Sequence, residues 1–335
     1  MPRVVVVFTG GTISTAFDPV AGGNVPVLDG AALIARTPGL DGVADVVAVD
    51  LGRTPASHFT FPMLFEIAAT IRAAADDPAV DGVVVVQGTD TIEETAFFWD
   101  VVCDGEKPIV VTGAMRASDA PGFDGPANLR DAVRVAADPR MRGAGVVVCL
   151  AGTIEPADDV LKMHTSSLTT FRSPNGGSLG LVDDAGLTVL RRRAARRSVA
   201  GASRAAERVH LITATVAMDG TLLDAAVSAG ADGLVVAATG AGNTDPRLLA
   251  AAVRAMDAGI PVALASRCPS GAAGVAYAFP GGGATWVRAG ALAVGHLCAT
   301  KARVALAVGV GAGLDRDGLA ALLADPADPA DLVEV

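Results

Sequence analysis

The feature that most restricts how this chain can fold is a series of short, wholly apolar runs separated by alanine-rich stretches of helical length. The runs cover residues 4–8, 46–49, 83–86, 109–112 and 146–150. A strand with one wet face alternates apolar and polar side chains, so unbroken β-branched runs predict strands buried on both faces, as in a parallel sheet covered by helices. The stretches 61–75, 91–102 and 128–137 have the composition of those helices, which gives βαβ units. A second, smaller series follows, with strands at 209–213, 233–237 and 262–266 and helices at 222–229, 246–258 and 300–308. Between the two series apolar periodicity disappears and charge density rises, which predicts a boundary within 189–207. The expected organisation is an N-terminal domain at 1–190, a linker at 191–207 and a C-terminal domain at 208–335. The Pro-, Asp- and Ala-rich stretch 325–331 is expected to be a loose tail.

Composition narrows the possible functions. A chain of 335 residues that is 51% hydrophobic can bury the cores of about two domains. Its apolar runs are far shorter than the roughly 18 residues of a membrane helix. Arg3 leads into five apolar residues and then Thr-Gly-Gly, which reads as a strand and not as an export signal, so a cytoplasmic protein is expected. Cys103, Cys149, Cys268 and Cys298 form no CxxC pair, and His58, His164, His210 and His296 are scattered. The cysteines are expected to be buried thiols, and neither a metal site nor a cofactor is expected. The net charge of −10 argues against a nucleic-acid partner. The basic run of Arg191, Arg192, Arg193, Arg196 and Arg197 is read as a solvated linker.

In open α/β sheets ligands bind beyond the carboxyl ends of strands. Two glycine segments occupy such positions: Thr9-Gly10-Gly11-Thr12 after the first strand and Gln87-Gly88-Thr89-Asp90-Thr91 after the third. Neither matches the P-loop or the dinucleotide fingerprint. Alone, either is equally an ordinary tight turn. Each nevertheless presents a Thr hydroxyl at the sheet edge, and the second adds a carboxylate at a helix start, where free N–H groups favour negative charge. A Thr hydroxyl needs a neighbouring base to become a nucleophile. Lys162 is the only lysine between residues 151 and 203, and lysine can deprotonate where arginine cannot. A lone lysine is ordinarily a surface charge.

TGGTIS at 9–14, QGTDTIEETA at 87–96, VTGAMR at 111–116, DGPANLRDAV at 124–133 and Lys162-Met163-His164-Thr165 together resemble the bacterial-type L-asparaginases and asparaginase-glutaminases. GAGN at 240–243 and KARVAL at 301–306 extend the resemblance over nearly the whole chain, in order. It implies a larger N-terminal flavodoxin-like parallel-sheet domain and a smaller C-terminal α/β domain. It also implies hydrolysis of the L-asparagine side-chain amide to L-aspartate and ammonia through a threonine acyl-enzyme. Thr12 would be the nucleophile, with Thr89, Asp90 and Lys162 as the second catalytic group. Substrate contacts would come from Gly11, Ala56, Ser57, Gly88, Thr89, Asp90 and Asn243, and backbone N–H groups of Gly11, Thr12, Gly88 and Thr89 would stabilise the oxyanion. No cofactor is implied. The expected assembly is a homo-oligomer, a dimer or a tetramer.

The sequence departs from the family pattern in three places. The lid after TGGTI normally carries a tyrosine, yet residues 15–30 have none and Tyr277 is the protein's only one. Asn24 is a candidate substitute. Ala56 aligns with a substrate-binding serine, with Ser57 one position on. An acid supplied by a neighbouring subunit is usual near 280–285, where this chain reads PGGGAT. Plain L-asparaginase activity is the first expectation. A related amidohydrolase acting on a larger or derivatised amide is the second, and a non-catalytic amide-binding protein of the same fold the third.

Overall fold

The computed structural model describes residues 1–193 and 195–326, in two compact units, Met1–Arg196 and Arg197–Val335. In the first unit the strands are β1 (Arg3–Phe8), β2 (Thr15–Asp18), β3 (Gly23–Pro26), β4 (Asp45–Asp50), β5 (Gly82–Val86), β6 (Ile109–Thr112), β7 (Val146–Leu150), β8 (Thr153–Pro156), β9 (Leu161–Lys162), β10 (Phe171–Arg172), β11 (Gly180–Asp183) and β12 (Gly186–Val189). Its helices are α1 (Gly30–Ala35), α2 (Phe61–Asp76), α3 (Ile92–Val102) and α4 (Gly125–Ala137).

The main sheet runs β12-β11-β8-β7-β6-β5-β1-β4. Strands β4, β1, β5, β6 and β7 are parallel neighbours, and β8, β11 and β12 extend one edge antiparallel. Numbered among themselves, the parallel strands lie in the order 2-1-3-4-5, the flavodoxin-like doubly wound order. Valines of β1, β5, β6 and β7 are buried throughout, as their unbroken apolar runs predict. Strand β4 is a correction to that reading, because at the sheet's edge none of its residues is fully buried and Val47 is exposed. Helix α4 starts three residues before the expected point, with Pro126 in its first turn, where the missing N–H removes no helical bond. Its apolar face, including Leu129, Ala132, Val133 and Ala136, packs into the core with Val4, Val84 and Val110.

The second unit holds β13 (Val209–Thr213), β14 (Gly233–Ala238), β15 (Val262–Ser266) and β16 (Leu292–Ala293) in one parallel sheet in that order. Its helices are α5 (Thr221–Ser228), α6 (Pro246–Asp257), α7 (Gly283–Ala289), α8 (Ala299–Gly311) and α9 (Arg316–Leu323). Leu223, Leu248, Ala251 and Trp286 pack on Leu234, Val236 and Leu264 to form its core.

Within the basic run Arg193 and Arg197 are buried and not solvated. Arg193 donates to both oxygens of Asp100, at 3.1 and 2.8 Å, and pairs with Asp158 at 3.0 Å, while Arg196 meets Asp100 at 3.1 Å. The side chain of Asp100 is wholly buried and that of Arg193 is 4% exposed. Charge density had suggested solvent, but guanidinium groups facing a buried carboxylate are hydrogen-bonded and neutralised, which is the condition for burying them. Within the second unit Arg197 pairs with Asp325 at 3.3 Å, and Asp325 also accepts from His296. The start of the expected tail is therefore held, and residues 327–331 lie outside the described residues. Two cysteines also differ from expectation: Cys103 and Cys149 are buried, but Cys298 is half-buried and Cys268 exposed.

Candidate active site

The order 2-1-3-4-5 changes direction between β1 and β5, and a crevice at this switch point is where open α/β sheets bind ligands. Thr9 closes β1 there, giving its N–H and its hydroxyl to the Val86 carbonyl, each at 3.0 Å. Gly10 and Gly11 follow with φ of 104° and 99°, a region L side chains rarely enter. A β-carbon on Gly11 would lie 2.2 Å from the Gly88 nitrogen, and one on Gly10 2.8 Å from the Arg53 Cα. Any side chain would push the loops after β1, β4 and β5 apart, so the double glycine is what lets them converge. Thr12 then opens a short 3-10 turn, Thr12–Ser14. Ser14 donates its N–H and hydroxyl to the Gly11 carbonyl at 2.9 and 2.8 Å, and the Thr15 hydroxyl donates to the Thr12 carbonyl at 2.9 Å. Ser14 and Thr15 thus close the turn around Thr12, a half-buried residue.

The loop after β5 is fixed from within. Gln87 donates its amide N–H to the Gly88 carbonyl at 3.1 Å and accepts the Thr95 hydroxyl at 2.9 Å. Residues Thr89–Thr91 make a second 3-10 turn that runs into α3. The Thr91 hydroxyl donates to the Ala56 carbonyl at 3.2 Å, which joins this turn to the one at Ala56–His58. Ala56 is buried with its methyl against Gly88, while Ser57 is exposed. Beyond β6, Gly113 passes so close that a β-carbon there would stand 2.5 Å from the Gln87 carbonyl oxygen.

Lys162 reaches this place from far along the chain. It lies on β9, which among the described residues pairs only with β10, as a two-residue hairpin outside the main sheet. Its Nζ donates to Thr89 Oγ1 at 2.9 Å and to Asp90 Oδ1 at 2.7 Å. The Lys162 side chain is 13% exposed and that of Asp90 77% exposed, so the ammonium is enclosed while one carboxylate face is open to a ligand. An ion pair with so exposed an acid adds at most about 1 kcal/mol to stability. The buried Thr89 is the firmer partner, and the three groups form a chain along which a proton can move.

Several supporting residues lay inside motifs that the sequence reading quoted without assigning them a part. Asp124 accepts the N–H groups of Met115 and Arg116 at 3.0 Å each and the Asn128 side chain at 2.9 Å. Asn128 in turn donates to the Gly113 carbonyl at 3.0 Å and accepts from the Ala151 N–H at 3.0 Å. Together they hold the loop after β6 in place. Strands β2 and β3 form a hairpin over residues 15–26 with Phe17 opposite Asn24, and Ser118 N–H to Thr15 carbonyl, 2.7 Å, ties it to the loop before α4. Phe17 and Val20 on this hairpin are exposed.

Asn243 belongs to the other unit. It ends a tight turn after β14 in which Thr239 and Asn243 exchange backbone hydrogen bonds at 3.0 and 2.9 Å. Its Oδ1 is buried and has no hydrogen-bond partner among the described residues. Among the described residues no group of three or more His, Cys, Asp or Glu side chains is placed to hold a metal ion.

Comparison with known proteins places the chain in a family. The family described as Asparaginase, N-terminal, matches residues 3–195, and the one described as Glutaminase/Asparaginase C-terminal domain matches residues 208–323. A probable L-asparaginase of Deinococcus radiodurans is 36% identical over 322 residues, covering 95% of this chain and 96% of that protein. An L-asparaginase of Bacillus licheniformis is 34% identical over 254 residues, 76% of this chain and 79% of that one. The crystal structure of a probable cytoplasmic L-asparaginase from Campylobacter jejuni superposes with a TM-score of 0.85 at 26% identity, covering 96% of this chain and 99% of that one. The chain belongs to the asparaginase family, in both of its domains.

Proposed function

We propose that the protein hydrolyses the side-chain amide of L-asparagine to L-aspartate and ammonia, with Thr12 as nucleophile. The observation that supports it is the hydrogen-bonded unit of Thr89, Asp90 and Lys162 at the same sheet edge that carries Thr12. The Thr12 oxygen attacks the amide carbon. Its proton passes by way of Thr89 and Lys162 to the departing nitrogen, the C–N bond breaks, and ammonia leaves an ester on Thr12. Water attacks the ester, returns a proton to Thr12 and frees the acid. Backbone N–H groups of Gly11, Thr12, Gly88 and Thr89 stabilise the negative oxygen of each tetrahedral stage. Asp90, mostly exposed, grips the substrate ammonium, with Ala56 and Ser57 beside it in the first unit; Asn243, in the second unit, is proposed as a substrate contact on family grounds alone.

The test is ammonia release from asparagine, glutamine, their D-forms and N-substituted amides. Thr12→Ala should lower kcat by roughly a thousandfold or more, and Lys162→Met comparably, because members of one catalytic unit are not additive. Full activity in folded Thr12→Ala overturns the assignment. A larger or derivatised amide is the second reading, supported by a hairpin that carries exposed Phe17 and Val20 in place of a tyrosine. It predicts that an N-substituted amide outperforms asparagine in the same screen. Binding of amides with no ammonia release from any would identify a binding protein.

The division into a domain at 1–190, a linker at 191–207 and a domain at 208–335 is part of this proposal, supported by the spans of the two family matches. A homo-oligomer, dimer or tetramer, is proposed on family grounds and is checked by light scattering. A cytoplasmic location is proposed too. Among the described residues no helix is long and apolar enough to cross a membrane, and relatives carry both descriptions, cytoplasmic for the Campylobacter protein and periplasmic for a Haemophilus influenzae one.

A further inference from the structure

Lys162 is held at both ends by one short segment of chain. Its Nζ meets Thr89 and Asp90, and its backbone N–H donates to Glu93 Oε2 at 2.8 Å. Thr89, Asp90 and Glu93 lie within five consecutive residues, the 3-10 turn and the first turn of α3. Strand β9 offers the lysine little other support. It is two residues long, its partner is the equally short β10, and among the described residues that hairpin joins no larger sheet. The next residue, Met163, spends its N–H on the Thr170 carbonyl across the hairpin, whereas the Lys162 N–H points to α3.

We infer that Glu93 is a positioning residue for the proposed amide hydrolysis: by accepting the Lys162 main-chain N–H, it sets the origin of the lysine side chain so that Nζ falls on Thr89 and Asp90. This rests on the function proposed above. A lysine has four rotatable side-chain bonds, and an ammonium fixed only at its tip samples many geometries around a hydroxyl. Fixing the backbone as well leaves a single span between two anchors. Both anchors ride on the same turn, so any shift of α3 carries Thr89, Asp90 and Lys162 together and the proton path keeps its length. A misplacement of about 1 Å at such a path can cost on the order of a hundredfold in rate. A glutamate in a first helical turn already has a reason to be there, since it complements the helix dipole. The hydrogen bond to a residue 69 positions away is a second role that dipole complementarity does not require.

The two roles separate in experiment, using the full-length protein. Glu93→Gln keeps an oxygen acceptor for the Lys162 N–H and removes the charge, while Glu93→Ala removes both. Under the positioning role Glu93→Ala lowers kcat for asparagine about ten- to a hundredfold and changes KM less than about threefold, because Lys162 acts in the chemical step. Glu93→Gln recovers kcat to within about threefold of the parent. The lysines are Lys107, Lys162 and Lys301, so selective 13Cε-lysine labelling gives three resonances, with that of Lys162 identified by its loss in Lys162→Met. The Lys162 resonance shifts in Glu93→Ala and stays in place in Glu93→Gln. An unmoved Lys162 resonance together with unchanged kcat in Glu93→Ala overturns the inference, and so does a Glu93→Gln variant as impaired as Glu93→Ala, which would make the charge the active element. If the unmodified protein releases no ammonia from asparagine, the proposed substrate fails, and the lysine resonances still decide whether Glu93 fixes Lys162.

Discussion

Ala56 is 5% exposed, and its methyl carbon lies 3.1 Å from where a β-carbon on Gly88 would stand. At the proposed substrate site it offers no hydroxyl for an α-carboxylate, and a hydrogen bond to a charged group is worth about 1.5–3 kcal/mol. Ala56→Ser is therefore expected to raise kcat/KM for asparagine about ten- to a hundredfold. An amide without a free α-carboxylate should be little affected, since it cannot use the new donor. Steady-state kinetics on both substrates check this, and equal effects on the two reject the lost-carboxylate account in favour of Ala56 as packing under the loop. Which residues of the site are legible in sequence follows from where their chemistry is local. Thr12, Thr89 and Asp90 stand directly after apolar runs and beside glycines, so strand, turn and functional group can be read in one window. Lys162 is visible only as an isolated lysine, because its partners lie 73 and 72 positions earlier. Glu93, Asp124 and Asn128 were invisible as supports, since a helix-start acid or amide looks the same whether it caps its own helix or holds a distant loop.

At the scale of elements, α3 carries the Thr89–Glu93 segment at one end and the buried Asp100 toward the other. Burial alone pushes the Asp100 carboxyl up, but Arg193 and Arg196 outweigh it and hold the group below the ordinary value of 3.8. Breaking a buried pair by removing one partner costs about 3–5 kcal/mol, because the remaining charge is left uncompensated. Asp100→Asn is expected to lose that much stability at pH 7. A carboxylate with a depressed folded-state pKa stabilises fully above its unfolded value and loses that contribution as pH falls through the folded value. The gap between parent and variant should then stay constant above about pH 5 and narrow below about pH 4. Urea denaturation at pH 7 and pH 3 measures it, and a gap that widens in acid contradicts the assigned ion pairs. The five parallel strands could be read because each is a continuous apolar run. The antiparallel β8, β11 and β12 and the β2–β3 hairpin could not, because each is only four residues long and carries a polar or charged side chain that breaks the apolar run. The arginine run misled for a related reason: charge density reports solvent only when no buried acid awaits it.

Across the whole molecule the four thiols sit in contrasting surroundings, which a single titration can read. Cys103 is buried at the C-terminal end of α3, and burial pushes its thiol up to about 12, against the partial opposition of Arg72. Cys149, buried within β7, is pushed up further for the same reason. Sulfur reacts with disulfide reagents as thiolate. At pH 8 a thiol with a pKa of about 12 has roughly one molecule in ten thousand ionised, and a buried one also excludes the reagent. Cys268 is exposed in the turn after β15, its N–H bonded to Ser266 Oγ at 3.0 Å, and Cys298 is half-buried with Sγ 3.3 Å from Thr300 Oγ1. Sequence spacing could separate these cysteines from a metal site but could not rank them, since a single thiol beyond a strand end looks the same as one within it. Ellman's reagent at pH 8 is expected to modify Cys268 promptly, Cys298 more slowly, and Cys103 and Cys149 only when guanidinium unfolds the chain. Cys268→Ser should remove the fast phase and leave the two denaturant-dependent thiols unchanged. Prompt modification of all four in the native protein would mean that the β7 core opens freely, which the close packing of the first unit's sheet forbids.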